Sequence, residues 1–220
     1  MSAYAVSDIF GNYKVWTKVK ENLLPNDEVF VLGNVIDYGV DGIKILQEIM
    51  NDERFHFILG YHEYLFTNRY YNNESILHNQ FGGINTWNGF MRLPLSDRYE
   101  VLNFLKQAPL FETIMNENGE TIYMSNNGCE DFTHKEIKDF FADNYLNNYD
   151  KSSKFDVSIH GQVTIDEIND AIKKLTGKEK KTADGAKSYW YSKNKMCIGT
   201  NSTYVIMVNL NDFSTRCINA

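Results

Sequence analysis

The chain has 220 residues, 43% of them hydrophobic and 23% charged, which is the make-up of a water-soluble globular protein long enough to bury one sizeable core. Its formal net charge of -7 argues against a general nucleic-acid binder, because phosphate contacts need a positive face. Cys129, Cys197 and Cys217 are widely spaced and form neither a CxxC pair nor a disulfide framework, so reduced thiols in a cytoplasmic setting are expected. The opening MSAYAVSDIF lacks the basic start and apolar core of a secretion signal, and no run of about 18 apolar residues occurs, so no membrane partner is expected.

In chain order, AYAVS (3–7) reads as a strand, 8–12 as a loop, and 13–24 as a helix with Val15, Val19 and Leu23 at helical spacing. Pro25-Asn26-Asp27 breaks it. EVFVLG (28–33) is a second strand with a loop over 34–40. The next helix, 41–50, places Ile43, Leu46, Ile49 and Met50 on one face. FHFILG (55–60) is a third strand and 61–71 a third helix. Residues 80–90 read as a glycine-containing loop, and 96–108 as a helix with Ser96 at its N-cap. Strands at 110–115 and 120–125 flank NENG, a hairpin signal. Residues 131–150 and 165–175 read as helices, 155–160 as a strand ending at His160-Gly161, and the closing strands as an antiparallel run. Lys178, Lys180, Lys181 and Lys187 sit in a polar loop, solvated rather than ligand-binding on its composition. Nothing divides the chain, so a single domain over 1–220 is expected.

Alternating strands and helices predict parallel βαβ units, whose strand-end loops gather on one sheet edge. That edge would collect Asp8, Phe10, Asn34, Asp37, Tyr61 and His62. His78 and His134 have no partner by spacing and read as surface residues; His56 alternates with apolar neighbours and reads as structural. No GxxxxGK[ST], GxSxG or HExxH is present.

Five segments carry a family resemblance: Asp8-Ile9-Phe10-Gly11-Asn12, Gly33 to Gly39 (GNVIDYG), Gly60-Tyr61-His62-Glu63, Asn126-Asn127-Gly128 and Ile159-His160-Gly161. FGGINT and CIGTNSTYVIMVNL add to it. Their order resembles the calcineurin-like metallophosphoesterases, in particular bacterial serine/threonine phosphatases and diadenosine tetraphosphate hydrolases. The resemblance implies an α/β fold, an αββα sandwich of mixed sheets flanked by helices. It also implies two divalent metals about 3.5–4 Å apart that activate a water against phosphorus. On this resemblance Asp8 and His160 stand at metal-ligand positions. Phe10, Asn34, Tyr61 and Asn126 stand where a histidine, the bridging carboxylate, an amide ligand and a further histidine would be. Tyr38 stands in place of the arginine that grips phosphate, a role a phenol cannot fill. His62 and Asp37 match the general acid and the carboxylate that orients it.

Two dications near 4 Å repel by on the order of 16 kcal/mol even at an effective dielectric near 20. An amide at the bridge removes the anion that most directly counters this. The expectation is therefore a metallophosphoesterase-fold pseudo-enzyme that binds a protein partner or a phosphorylated ligand and carries no cofactor, or at most one weakly bound Mn, Fe, Zn or Mg. A surviving phosphoesterase with a rearranged or mononuclear site on Asp8, Asp37, His62 and His160 is the alternative. A structural or inhibitory module working through 131–195 is a second. Each residue also has a bland role: Asp8 capping backbone amides, Asp37–His62 as a structural ion pair, His160 as a hydrogen-bonded core histidine, and Phe10, Tyr38 and Tyr61 as filler or as walls of an aromatic pocket.

Overall fold

A computed structural model describes residues 2–131, 133, 136–142, 153–164, 173–174, 189–200 and 203–220, with the side chains of 162–164 excepted. Strand β1 (Ala3–Val6) pairs in parallel with β2 (Glu28–Val31), and β2 in parallel with β3 (Phe55–Phe57). The crossovers are α1 (Tyr13–Glu21) and α2 (Gly42–Met50), and α3 (Tyr61–Asn72) follows β3. Asn12 fixes the start of α1 by accepting from the Val15 N–H at 3.2 Å. The helix stops at Glu21 rather than 24, with Asn22 at its C-cap three residues before Pro25.

After α3 the chain departs from the sequence reading. Residues 80–90 are mostly helical: α4 (Ser75–Gln80) and α5 (Ile84–Met91) are separated only by Phe81-Gly82-Gly83. The glycines break one helix and admit the next, and Thr86 and Phe90 bury the second. Helix α6 (Leu95–Gln107) has Pro94, not Ser96, at its N-cap position; Ser96 lies inside the first turn and bonds Asp97. Proline favours the extended backbone found there and hands the chain to the helix one residue earlier.

Strands β4 (Phe111–Met115) and β5 (Thr121–Ser125) form the antiparallel hairpin expected around NENG, with Gly119 at φ +80° in the turn. Strand β6 (Val157–Thr164) adds in parallel to β5. The closing strands do not make one antiparallel run. Strand β7 (Lys195–Gly199) joins β6 in parallel, while β8 (Tyr204–Asn209) and β9 (Thr215–Asn219) cross to the first sheet as an antiparallel pair. Two mixed sheets result, ordered β3-β2-β1-β8-β9 and β4-β5-β6-β7.

Side-chain alternation assigns each face. Phe30, Leu32, Ile58 and Val208 of the first sheet meet Ile122, Met124, Ile159 and Ile198 of the second, forming a core between the sheets. Val29, Val31 and Val6 face the other way, onto Trp16, Val19, Leu46, Phe66 and Leu102 of the helices. Both faces of β2 are buried, hence its unbroken apolar run. Helix α7 (Ile137–Ala142) packs Phe140 and Phe141 into this helix-side core. The helix expected at 165–175 falls outside the described residues except at 173–174, as do His134, all of 143–150 and the lysine-rich loop. No disulfide joins Cys129, Cys197 and Cys217, the first two of which are buried and the third exposed. Among the described residues no helix is long and apolar enough to cross a membrane.

Candidate functional site

The loops after β1, β2, β3 and β5 meet at one edge, together with His160 and Gly161 inside β6. Backbone bonds tie the first two: Asp8 N–H to Gly33 O at 3.3 Å, Phe10 N–H to Asn34 O at 3.0 Å, and Gly11 N–H to Val35 O at 2.6 Å. Gly161 N–H reaches Asn126 O at 3.0 Å from the second sheet. Gly33 shows why glycine is needed here. Its φ is +70°, and a Cβ would lie 2.3 Å from Gly60 Cα, so the second and third loops touch backbone to backbone. Asp8, Phe10, Asn34, Asp37 and Tyr38 are all non-glycine residues with φ between +48° and +71°. Left-handed backbone at residues with a Cβ costs free energy and concentrates where surrounding structure over-determines it.

Glu63 is what holds the second loop. It is fully buried, and its carboxylate accepts from the N–H groups of Asn34 (2.8 Å), Val35 (2.8 Å) and Ile36 (3.2 Å). Burial pushes the Glu63 carboxyl up from its ordinary range, against the pull of those amides and the neighbouring His62.

The loop so held presents Asn34 to Asp8. Asn34 Nδ2 donates to Asp8 Oδ1 at 2.9 Å, and Asn34 Oδ1 accepts from the His62 N–H at 3.2 Å. Asp8 is fully buried; its Oδ1 also accepts from Ser7 Oγ at 3.1 Å, and its Oδ2 from the Thr200 N–H at 3.0 Å. Asn126 Oδ1 takes the Tyr61 N–H at 3.1 Å, and its Nδ2 donates to Leu32 O at 2.6 Å. His160 is completely buried. Its Nδ1 lies 3.0 Å from Gly161 O and its Nε2 2.9 Å from Tyr191 Oη, the pattern of a neutral ring that donates from Nδ1 and accepts at Nε2. Burial first, then the charge of Lys195, drive its pKa down to about 4, against the pull of the bond to Gly161.

Asp37 and His62 meet as the sequence suggests, with His62 Nδ1 2.8 Å from Asp37 Oδ2. The surface reading of His78 is wrong. It is completely buried, and its Nε2 lies 3.0 Å from Asp37 Oδ1, so one carboxylate joins two imidazoles. The contact spans 41 residues and depends on how α4 lies across the loop, which local spacing does not encode. Burial works to raise the Asp37 pKa, but the bonds and charges of His62 and His78 outweigh it and hold the carboxyl below its ordinary value. Thr86 Oγ accepts from the Asp37 N–H at 2.9 Å.

Around His62 stand the rings of Phe10 (5.1 Å between centroids), Tyr38 (5.5 Å), Phe81 (6.0 Å) and Tyr61 (6.3 Å). Phe10 is buried and Tyr38 about half-exposed, so this aromatic cluster runs from the interior to the surface. Burial, then the adjacent Asp37 charge, raise the Tyr38 phenol, and burial raises Tyr61, so both rings remain neutral donors near neutrality.

The geometry therefore brings together Asp8 with Asn34, Asn126 with Tyr61, and Asp37 with His62, with Phe10 and Tyr38 against the last. Glu63, His78, Thr86, Thr200 and Tyr191 are the site residues that sequence reasoning missed. Glu63, Thr86 and Thr200 stand inside segments that carry the resemblance, Gly60-Tyr61-His62-Glu63, FGGINT and CIGTNSTYVIMVNL, whereas His78 and Tyr191 had no local signal.

Neither a protein-family model nor a curated protein sequence matches the chain. Solved structures do. A metallophosphoesterase from Sphaerobacter thermophilus superposes with a TM-score of 0.59 at 13% identity, covering 100% of this chain and 89% of its own. A cold-active protein tyrosine phosphatase gives 0.58 at 10% identity, and a protein serine/threonine phosphatase from Saccharomyces cerevisiae 0.55 at 12%, each covering 100% of this chain and 80% of its own. With two face-packed mixed sheets, flanking helices and the gathered loops, the chain has the calcineurin-like metallophosphoesterase fold. At these identities the likeness extends to the fold alone.

Proposed function

We propose that this chain is a pseudo-enzyme of the metallophosphoesterase fold, whose cleft binds a protein partner or a phosphorylated ligand instead of hydrolysing a phosphoester. The observation that carries this reading is the Asn34 amide donating to Asp8. At the bridging position an amide brings no charge, and here it spends its N–H on Asp8, the carboxylate that stands at a metal-ligand position. A binuclear centre needs several carboxylate and imidazole donors to hold two dications. The side chains at hand do not fit it: Phe10 cannot ligate, Asn126 and Asn34 are engaged through both amide atoms, and the His160 nitrogens face Gly161 and Tyr191.

The surviving Asp37–His62 pair favours a second reading, residual hydrolysis by a rearranged or mononuclear site built on Asp8, Asp37, His62 and His160. One experiment separates the two. The purified chain is incubated with excess manganese, desalted, and its metal counted per chain by elemental mass spectrometry, alongside hydrolysis of phosphopeptides and nucleotides. The expected result is close to zero bound metal and no metal-dependent turnover. One or two metals per chain, with hydrolysis abolished by Asp8→Ala, would overturn the pseudo-enzyme reading.

A further inference from the structure

The Asp37 carboxylate is served by two imidazoles: His62, 6% exposed and ringed by Phe10, Tyr38, Tyr61 and Phe81, and His78, fully buried. The Asp37 backbone N–H is taken by Thr86 and the carboxylate oxygens by His62 Nδ1 and His78 Nε2. His78 is in turn fixed from behind. Arg69 Nη1 lies 3.4 Å from His78 Nδ1, and because a guanidinium can only donate, that nitrogen is the acceptor and Nε2 carries the hydrogen given to Asp37. Gly83 makes room for the ring: a Cβ there would sit 2.3 Å from His78 Nε2.

We infer that His78 is a positioning residue which locks Asp37 and, through it, fixes the orientation and tautomer of His62. The inference does not rest on the pseudo-enzyme reading, since it concerns how His62 is presented whether or not the cleft hydrolyses anything. The torsion that turns a carboxylate about its own axis is soft, so one imidazole on one oxygen does not fix it. A second ring N–H on the other oxygen does. Asp37 can then accept only from a protonated Nδ1 of His62, which leaves Nε2 as the nitrogen free to meet a ligand among Phe10, Tyr38, Tyr61 and Phe81. Removing His78 leaves a buried, charged oxygen without a donor, and the carboxylate turns or draws in a replacement. His62 then loses the partner that selects its tautomer.

The test is nitrogen NMR of the imidazoles in the full chain at mildly alkaline pH. In the unmodified protein His62 is expected to show one protonated nitrogen, Nδ1, and one bare nitrogen, Nε2, with widely separated shifts. His78→Leu should pull the two shifts towards each other as the tautomers mix. His78→Gln, which can return an N–H to the same oxygen, should restore the separation. Should His78→Leu fail to fold, Gly83→Ala decides the matter, because its Cβ displaces the His78 ring without removing it and should give the same averaging. Unchanged His62 shifts in whichever of these folds, or a glutamine variant that behaves like the leucine one, would overturn the inference and leave His78 as core packing.

Discussion

Glu63→Ala should lower the unfolding free energy of this protein by about 3 kcal/mol or more, at roughly 1–3 kcal/mol for each buried donor left without an acceptor. Three backbone N–H groups lose their partner together, and no water has access to a carboxylate that is 0% exposed. For a chain of this size the melting temperature should fall by about 6–12 °C, at roughly 2–4 °C per kcal/mol. Glu63→Gln should cost less, because its amide oxygen can still accept from Val35 and Ile36 and only the Asn34 N–H is left facing a donor. Urea unfolding and thermal melts monitored by circular dichroism measure both. A melting temperature within a degree or two of the parent would show that the second loop holds its shape without the carboxylate. The effect should also reach beyond stability: the same loop carries Asn34 to Asp8 and to the His62 N–H, so amide signals of Asp8 and His62 should shift in the variant.

Acid should unfold the protein by a route set by His160. The ring titrates near 4 in the folded state against about 6.5 when unfolded. Between those values the unfolded chain takes up a proton that the folded chain refuses, so stability falls as pH falls. The contribution is intact above about pH 6.5 and lost by about pH 4. A difference of that size is worth about 3 kcal/mol. His160→Gln should be less stable than the parent near neutrality, yet its stability should change less across this window. Denaturant unfolding at a series of pH values gives the slope in each protein. If parent and variant show the same slope, the ring is charging inside the fold and the pattern of bonds to Gly161 and Tyr191 is not the one that governs it. Asp37 acts lower: its depressed pKa places its own loss below the ordinary carboxylate range.

The sequence showed what local pattern can show. The three opening strands, their helices and the NENG hairpin follow from periodicity and turn residues, and the pairing of Asp37 with His62 was implied by the resemblance of their loops to the metallophosphoesterases. What escaped it was set by contacts between distant segments. Strand β7 reads like β8, short and apolar, and only its parallel register with β6 assigns it to the other sheet. His78 looked unpartnered because its partner lies in the loop after β2, 41 residues away. Glu63 was visible as a letter, but its partners are backbone amides, which every residue carries and no sequence distinguishes. Gly82 and Gly83 suggested a long loop, whereas they separate two helices and make space for an imidazole.

The antiparallel pairing of β1 with β8 joins Tyr4 to Asn209 and Ala5 to Val208, and Thr200 closes on Asp8 across 192 residues. Contacts of that sequence separation are slow to form, because most of the chain must be in hand before the loop can close. On the ribosome, β1 to β3 can align early, but one edge of β1 stays open until β8 emerges. An unpaired apolar edge held open for that long is a surface on which other nascent chains can pair. Refolding from denaturant is thus expected to be slow and its yield to fall with protein concentration, with the joining of β8 to β1 as the step that closes the risk.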